Sequence, residues 1–208
     1  MDGIVNFQLF IISSIIIIIA PGPDFIYVTT RGISDGNKAG VISAFGISAG
    51  LLIHTLFAAF GLSAIIQASR IAYSIIKYLG AGYLLFIGIK ALISKNNIAE
   101  LKTCSTHKNG NILKQGIVTN VFNPKAIVTF MAFLPQFVNA NILHPITQFT
   151  ILGLVLSTMA IIWFGFVGYF AGTFGLIIKR NKIVQNGIKY ISGSIMILLG
   201  LRLALKKD

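Results

Sequence analysis

Two ionisable residues of opposite charge each follow a proline inside an apolar stretch of this 208-residue chain. Asp24 ends the motif PGPD at residues 21–24, and Lys125 lies in the motif FNPKA at residues 122–126. Charges inside membrane spans are costly enough to indicate function by default. This pair would suit a zwitterion, with Lys125 and backbone amides near a carboxylate and Asp24 near an ammonium group.

The same two residues also have structural interpretations. Asp24 could be an ordinary N-cap, and Lys125 could extend its ammonium group to a membrane interface. Our hypothesis is that the two side chains face each other across a pseudo-twofold axis. A buried carboxylate such as Asp24 could in addition carry a proton.

The composition predicts that these residues lie in an integral membrane protein. Apolar residues make up 55% of the chain and charged residues 11%, and the mean hydropathy is +0.85. Soluble domains carry roughly 25% charged residues. Six apolar stretches are long enough to cross a hydrocarbon core of about 30 Å. They fall at 7–30, 40–66, 71–93, 116–137, 147–174 and 188–205.

A polar segment at 94–115 divides these stretches into two groups of three. We expect one membrane domain over 1–208, with a first repeat at about 4–93, a cytoplasmic loop at 94–115 and a second repeat at about 116–205. Residues 76–95 (IKYLGAGYLLFIGIKALISK) align without a gap on residues 188–207 (IKYISGSIMILLGLRLALKK). Three spans per repeat would make the repeats inverted.

The prolines fall in the first span of each repeat. Proline removes a backbone donor and displaces the preceding residue from helical geometry, so each of these spans should divide into two half-helices. The predicted fold is therefore an all-α membrane protein with six transmembrane helices, arranged as a 3+3 inverted repeat with proline-broken helices 1 and 4. Matched breaks of this kind point to a transporter's binding site, whereas simple packing kinks are the alternative.

The net charge of +12 does not indicate nucleic-acid binding, because the basic residues are scattered and form no stripe with aromatic residues. In a six-span arrangement most basic loop residues fall on one side of the membrane. The positive-inside rule then places both termini outside the cytoplasm.

Other polar residues within the stretches are weaker candidates. His54 could relay protons or bind substrate, and a hydrogen bond to a neighbouring helix carbonyl is the alternative. Asn120 and Asn123 lie one turn apart and could line the same face, with helix capping as the alternative for Asn123. The single cysteine, Cys104, provides no disulfide or thiol pair.

These observations predict no enzyme activity, no cofactor and no metal site. No nucleophile and base form a recognisable set. A metal-ion or other cation exporter remains the alternative function, but the stretches offer such a cation only His54 and Asp24.

Segments 20–62, 76–92 and 116–138 resemble the bacterial amino-acid exporters typified by the lysine exporter and the homoserine/threonine resistance proteins. The resemblance covers nearly the full chain. It rests on the PGP break, on a glycine ladder and on the NPK motif followed by AFLPQF. The ladder comprises Gly32, Gly36, Gly40, Gly46 and Gly50. The signature positions of the family correspond to Pro21, Gly22, Pro23, Asn123, Pro124 and Lys125.

The resemblance implies a six-helix protein of the bacterial inner membrane that exports small amino acids or their derivatives, driven by the proton gradient. The family uses Asp or Asn at the position of Asp24, which argues against an obligatory role for Asp24 in carrying the proton. The direction of transport follows from the resemblance alone.

The expected substrate is a neutral amino acid, because the stretches offer no second acidic partner for a cationic side chain. Threonine, homoserine and homoserine lactone are the candidates, and transport of the lactone, which has no carboxylate, would weaken the role of Lys125. The small-residue pairs Gly46/Gly50 and Gly168/Gly172 allow close helix packing. They could act within one chain or between two, so a monomer and a homodimer both remain open, and we favour packing within one chain.

Overall fold

The computed structural model describes residues 4–93, 109–139, 144–171 and 182–205, and nearly all of these residues are helical. Within these ranges the only β-type pairing is an isolated bridge between Ile4 and Val138. The all-α prediction is therefore confirmed for the described chain. Most of the predicted loop 94–115, Cys104 and Gly172 lie outside the described residues.

The helices follow the predicted apolar stretches. In chain order they are α1 (Phe7–Ile19), α2 (Pro23–Ser34), α3 (Asn37–Leu56), α4 (Ser63–Ala68), α5 (Arg70–Ile93), α6 (Asn109–Val121), α7 (Pro124–Val128), α8 (Pro145–Tyr169) and α9 (Lys182–Leu205). A π-helical segment, Phe57–Leu62, joins α3 to α4. A second π-helical segment, Thr129–Phe133, follows α7 and leads into a 3₁₀ segment, Leu134–Phe137.

Both proline motifs coincide with bends between helices. Helix α1 meets α2 at 53°, and Asn111–Val121 meets Pro124–Phe137 at 51°. Pro23 and Pro124 are each the first residue of the new helix, where the missing N–H has no intrahelical partner to lose. The residues before them, Gly22 and Asn123, are in extended conformations, as the residue before a proline tends to be.

Helix α6 begins at Asn109, earlier than the predicted start of the second repeat at residue 116. The prediction used the apolar boundary, but a helix can continue through polar residues when they are held in place. Here Tyr27 Oη donates to the Ile112 carbonyl at 2.6 Å, and Arg31 Nη2 donates to Gln115 Oε1 at 2.5 Å. These bonds attach the first turns of α6 to α2.

Three glycines of α3 allow this helix to approach two others closely, α8 and α6. A Cβ added at Gly40 would lie 2.8 Å from the Gly168 Cα of α8, and one at Gly46 would lie 3.0 Å from the Gly116 Cα of α6. Gly50 packs against the Asn120 side chain of α6. Gly40, Gly46 and Gly50 thus pack against other helices of the same chain, as small residues do between membrane helices, whereas a Cβ at Gly36 would meet no atom within 4 Å.

Helices α5 and α9, from the third and sixth predicted spans, pack against each other through a reciprocal contact. A Cβ at Gly88 would lie 2.8 Å from the Gly193 carbonyl oxygen, and a Cβ at Gly200 would lie 3.0 Å from the Ala81 carbonyl oxygen. In the alignment of 76–95 on 188–207, position 88 corresponds to 200 and position 81 to 193. Such an exchange of partners is what a two-fold axis between equivalent helices produces.

Side-chain contacts hold the helices together on either side of the bends. At one end the α2–α6 hydrogen bonds are joined by an ion pair from Arg31 Nη1 to Asp35 Oδ2 at 2.7 Å. At the other end Phe10 of α1 packs on Phe133 and Phe137, with ring centroids 5.9 and 5.3 Å away. These aromatic side chains are almost completely buried.

By length and apolar composition, two helical runs of the described chain could cross a membrane. One is Asn37–Ile65, which comprises α3, the π-helical segment after it and the start of α4, and the other is α8, Pro145–Tyr169. The number rises to four when each bent pair is counted as one span. Apolar helices of this kind are those of a membrane protein, and the count of six spans stays a prediction.

Candidate functional site

The two bends bring Asp24 and Lys125 to the same small cavity. Its volume is about 30 Å³, and its polar lining residues are Asp24, Lys125 and Thr129. Although both charges line this space, no ion pair joins them. A cavity of this size holds about one water molecule, so the described conformation is closed around the site.

Asp24 lies in the first turn of α2, one residue after Pro23, and does not cap the helix. The N-cap position belongs to Gly22, so the N-cap interpretation of Asp24 is wrong. Its Oδ2 accepts a hydrogen bond from Asn120 Nδ2 at 2.9 Å. Its Oδ1 is buried and has no hydrogen-bond partner. One carboxylate oxygen of Asp24 is therefore hydrogen-bonded, and the other is buried without a donor.

Lys125 points into the protein, which excludes the interpretation that it extends to an interface. Its Nζ donates to the Ala20 carbonyl at 2.5 Å, at the C-terminal end of α1. Carbonyl groups at a helix C-terminus carry partial negative charge and favour a cation there. Gly22 packs against the same side chain, and a Cβ added at Gly22 would lie 3.4 Å from Lys125 Cδ. Pro21 links Ala20 to Gly22 in the break.

Asn123 is a helix cap with a second, unused group. Its Oδ1 accepts from the Lys125 backbone N–H at 3.0 Å, so the capping interpretation is correct. Its Nδ2 is buried without a hydrogen-bond partner, and its side chain lies next to the Asp24 carboxylate. Buried polar groups without partners are rare and costly.

His54 is buried beside Asn120 on the far side of the site. Its Nε2 lies 3.3 Å from the Asn120 carbonyl oxygen, and its ring stacks on Phe130 with centroids 5.4 Å apart. This contact with a helix carbonyl is the structural alternative foreseen for His54. Asn120 thus connects His54 to Asp24 through its carbonyl and its side chain.

We expect Gly50→Ala to lower transport about tenfold while the protein still folds. The added Cβ would lie 2.6 Å from Asn120 Oδ1 and 2.7 Å from Asn120 Cβ, so the Asn120 side chain must rotate and the α3–α6 contact must widen locally. Its hydrogen bond to Asp24 would be lost, and hydrogen bonds to charged groups contribute about 1.5–3 kcal/mol. Initial efflux rates at matched membrane levels measure the effect.

Gly61→Ala is the matched control, because a Cβ at Gly61 meets no atom within 4 Å. Equal efflux rates for Gly50→Ala and Gly61→Ala would show that the placement of Asn120 against Asp24 is unimportant.

A larger cavity of about 310 Å³ lies elsewhere, between the two π-helical segments. His54 is its only polar lining residue, and its rim includes the exposed side chains of Phe57 and Met131. It offers a zwitterion no pair of opposite charges. The smaller cavity is therefore the better candidate for an amino-acid site, although it must widen to admit a ligand.

Part of the cavity wall comes from residues that the sequence did not single out. Ile17 and Ile18 of α1, Leu51 of α3, Ala126, and Leu156, Ala160 and Phe164 of α8 complete the lining. Helix α8 is apolar on all sides, so its sequence gives no signal of which face lines the cavity. No group of three or more potential metal ligands exists among the described residues.

The family model described as LysE type translocator matches residues 15–207 of the chain. The leucine efflux protein of Enterobacter sp. strain 638 is 32% identical over 177 residues, which cover 83% of this chain and 82% of the relative. The leucine efflux protein of Klebsiella pneumoniae is 29% identical over 205 residues, with 97% and 96% covered.

An uncharacterised membrane protein of Bacillus subtilis strain 168 is 32% identical over 197 residues, with 90% and 93% covered. No solved structure matches the chain. These matches confirm the resemblance on which the predicted fold and function drew.

Proposed function

Because the chain belongs to the LysE type translocator family, we propose that it is a secondary transporter that exports neutral amino acids across the bacterial inner membrane, coupled to protons. The binding site would be the cavity between the two bends. Asp24, Lys125 and Asn123 would bind the substrate directly, with Asn120 and His54 holding Asp24 in place. Pro21, Gly22, Pro23 and Pro124 would shape the breaks.

The observation that carries this proposal is the set of unused polar groups at the breaks. Asp24 Oδ1 lacks a donor, Asn123 Nδ2 lacks an acceptor, and Lys125 Nζ has a single carbonyl partner. An α-amino acid would supply what is missing, with its ammonium group on Asp24 and its carboxylate on Asn123 and Lys125. Buried groups of this kind favour a ligand that satisfies them all together.

The proposed substrates are neutral, because the lining contains no second acid or base for a charged side chain. Threonine and homoserine remain candidates on that ground. The relatives named leucine efflux proteins add leucine. Homoserine lactone has no carboxylate and would leave Asn123 and Lys125 unsatisfied, so we expect it to be a poor substrate.

We further propose that the chain is a 3+3 inverted repeat with six spans. Two matching bends and the reciprocal contacts between α5 and α9 support this arrangement. The contact of Arg31 with Gln115 brings the basic α2–α3 turn and the start of α6 to one end of the bundle. With that end in the cytoplasm, both termini would lie outside it.

Efflux from intact cells tests the function. Cells expressing the wild type should release labelled leucine, threonine or homoserine faster than control cells, and lysine no faster. A protonophore should stop this release. If lysine alone is exported, the neutral site is wrong, and if the protonophore has no effect, the proton coupling is wrong.

Asp24→Asn separates substrate binding from proton transport. The amide keeps the shape of the carboxylate but loses its charge, so we expect the half-saturating internal substrate concentration to rise about tenfold. Efflux should remain sensitive to the protonophore, because the proposed role of Asp24 is to bind the ammonium group. A variant that exchanges substrate but no longer responds to the proton gradient would assign the proton to Asp24.

A further inference from the structure

Three regularly spaced residues of α8 form much of the apolar cavity wall. Leu156, Ala160 and Phe164 are spaced four residues apart, which places them in one row along the helix. All three are buried, whereas Leu154, Ile162 and Phe166 on the opposite side are exposed. One face of α8 therefore lines the same cavity as Asp24 and Lys125, which are proposed to bind the zwitterion.

The polar groups of the cavity leave little for a polar side chain. Asp24 and Lys125 would be occupied by the ammonium and carboxylate groups. The third polar residue, Thr129, already donates its hydroxyl hydrogen to the Lys125 carbonyl at 2.8 Å. The lining therefore offers a substrate hydroxyl no free donor and only the Thr129 oxygen as an acceptor. The hydroxyl would lose some of the hydrogen bonds that it makes in water, whereas an aliphatic side chain gains from burial.

Ala160 is the smallest of the three residues and lies between the other two. It is completely buried, so its Cβ contacts the interior on every side. A cavity of about 30 Å³ leaves no spare room beside it for added carbon atoms. Because the side chain of Ala160 ends at Cβ, the cavity wall leaves room for a substrate side chain between Leu156 and Phe164.

We propose that the α8 wall selects amino acids with aliphatic side chains over hydroxylated ones, and that Ala160 sets the largest side chain admitted. The inference rests on the proposed function and gives it a substrate class. It favours leucine-like substrates over threonine and homoserine. The reason is the composition of the wall formed by Leu156, Ala160, Phe164, Ile17 and Ile18.

The test compares export of labelled leucine, alanine and threonine by the wild type and by Ala160→Leu. The wild type should export leucine at least about tenfold faster than threonine at equal internal concentration, and Ala160→Leu should reverse the preference for leucine over alanine. Discrimination by the space of one methylene group is worth about 10–200-fold. Ala160→Gly should instead raise export of a larger side chain, phenylalanine, relative to leucine.

Thr158→Leu is the matched control, because Thr158 is exposed on the same helix. Binding is measured separately, as the rise in melting temperature that each amino acid gives to purified wild type and variants. This keeps the test valid if Ala160→Leu accumulates poorly.

The outcomes distinguish a failure of the selectivity inference from a failure of the proposed transport function. A selective loss of leucine in Ala160→Leu, absent from Thr158→Leu, supports the inference. If the wild type exports amino acids but Ala160→Leu lowers all of them equally or leaves leucine unchanged, the α8 wall does not select and only the inference fails. If the wild type exports and binds none of them, the proposed function fails as well.

Discussion

Replacing Lys125 by Met should lower amino-acid export at least about 100-fold while the protein still accumulates in the membrane. Methionine keeps most of the apolar stem and removes the ammonium group that the substrate carboxylate would contact. The substrate carboxylate would then be buried without its cationic partner, which costs about 3–5 kcal/mol, and each 1.36 kcal/mol is a factor of ten in rate. The bond from Lys125 Nζ to the Ala20 carbonyl is lost as well. Initial efflux rates at matched membrane levels measure the effect.

Lys90→Met provides the control for the loss of a lysine charge. Lys90 lies on α5 with an exposed side chain near the Phe86 ring, far in sequence from both breaks. Export by Lys125→Met at the rate of Lys90→Met would mean that the breaks are only kinks. The double variant Asp24→Lys with Lys125→Asp adds a second criterion. Since no ion pair joins these residues, exchanging the charges should not restore export.

The second large effect is expected at the crossing of α3 and α8. Gly40→Val should lower the melting temperature by roughly 5–10 °C or prevent accumulation altogether. The new Cβ would lie 2.7 Å from the carbonyl carbon and 2.8 Å from the Cα of Gly168. Backbone atoms cannot rotate away, so the helices must separate. Overpacking costs about 1–3 kcal/mol and sometimes more, and 1 kcal/mol shifts the midpoint by about 2–4 °C in a chain of this size.

Gly165→Val tests whether valine is simply unfavourable in such a helix. Gly165 lies on α8 three residues before Gly168, and a Cβ there meets no atom within 4 Å. Melting of the purified variants in one detergent gives the comparison. Equal midpoints for the two variants would contradict the close approach of α3 and α8.

The positions of the helix breaks could be predicted from the sequence because proline imposes its geometry locally. Pro23 and Pro124 each begin a helix for the same reason, the absence of a backbone donor. The proximity of Asp24 to Lys125 followed from placing opposite charges at corresponding breaks. Both side chains do line one cavity.

Other features could not be predicted, because they depend on contacts between distant segments. The π-helical segment at 57–62 has no local signature in its sequence. The start of α6 at Asn109 depends on bonds from Tyr27 and Arg31. The cavity-lining row of Leu156, Ala160 and Phe164 could not be predicted, because α8 carries large apolar residues on its buried and its exposed face alike. Amphipathicity identifies a buried face only when the opposite face is polar.

Asp24 and Lys125 stand at the same place in the two bent pairs, directly after the proline that begins the second helix. An assembly of two identical half-length chains about a two-fold axis would put the same residue at both places. Two carboxylates or two ammonium groups would then face one small buried space and repel each other, and one would lose its charge. Joining the halves in a single chain lets the two positions diverge. The site gains a polarity of its own, so that under the proposed function an amino acid would bind there in one orientation and not in the reverse.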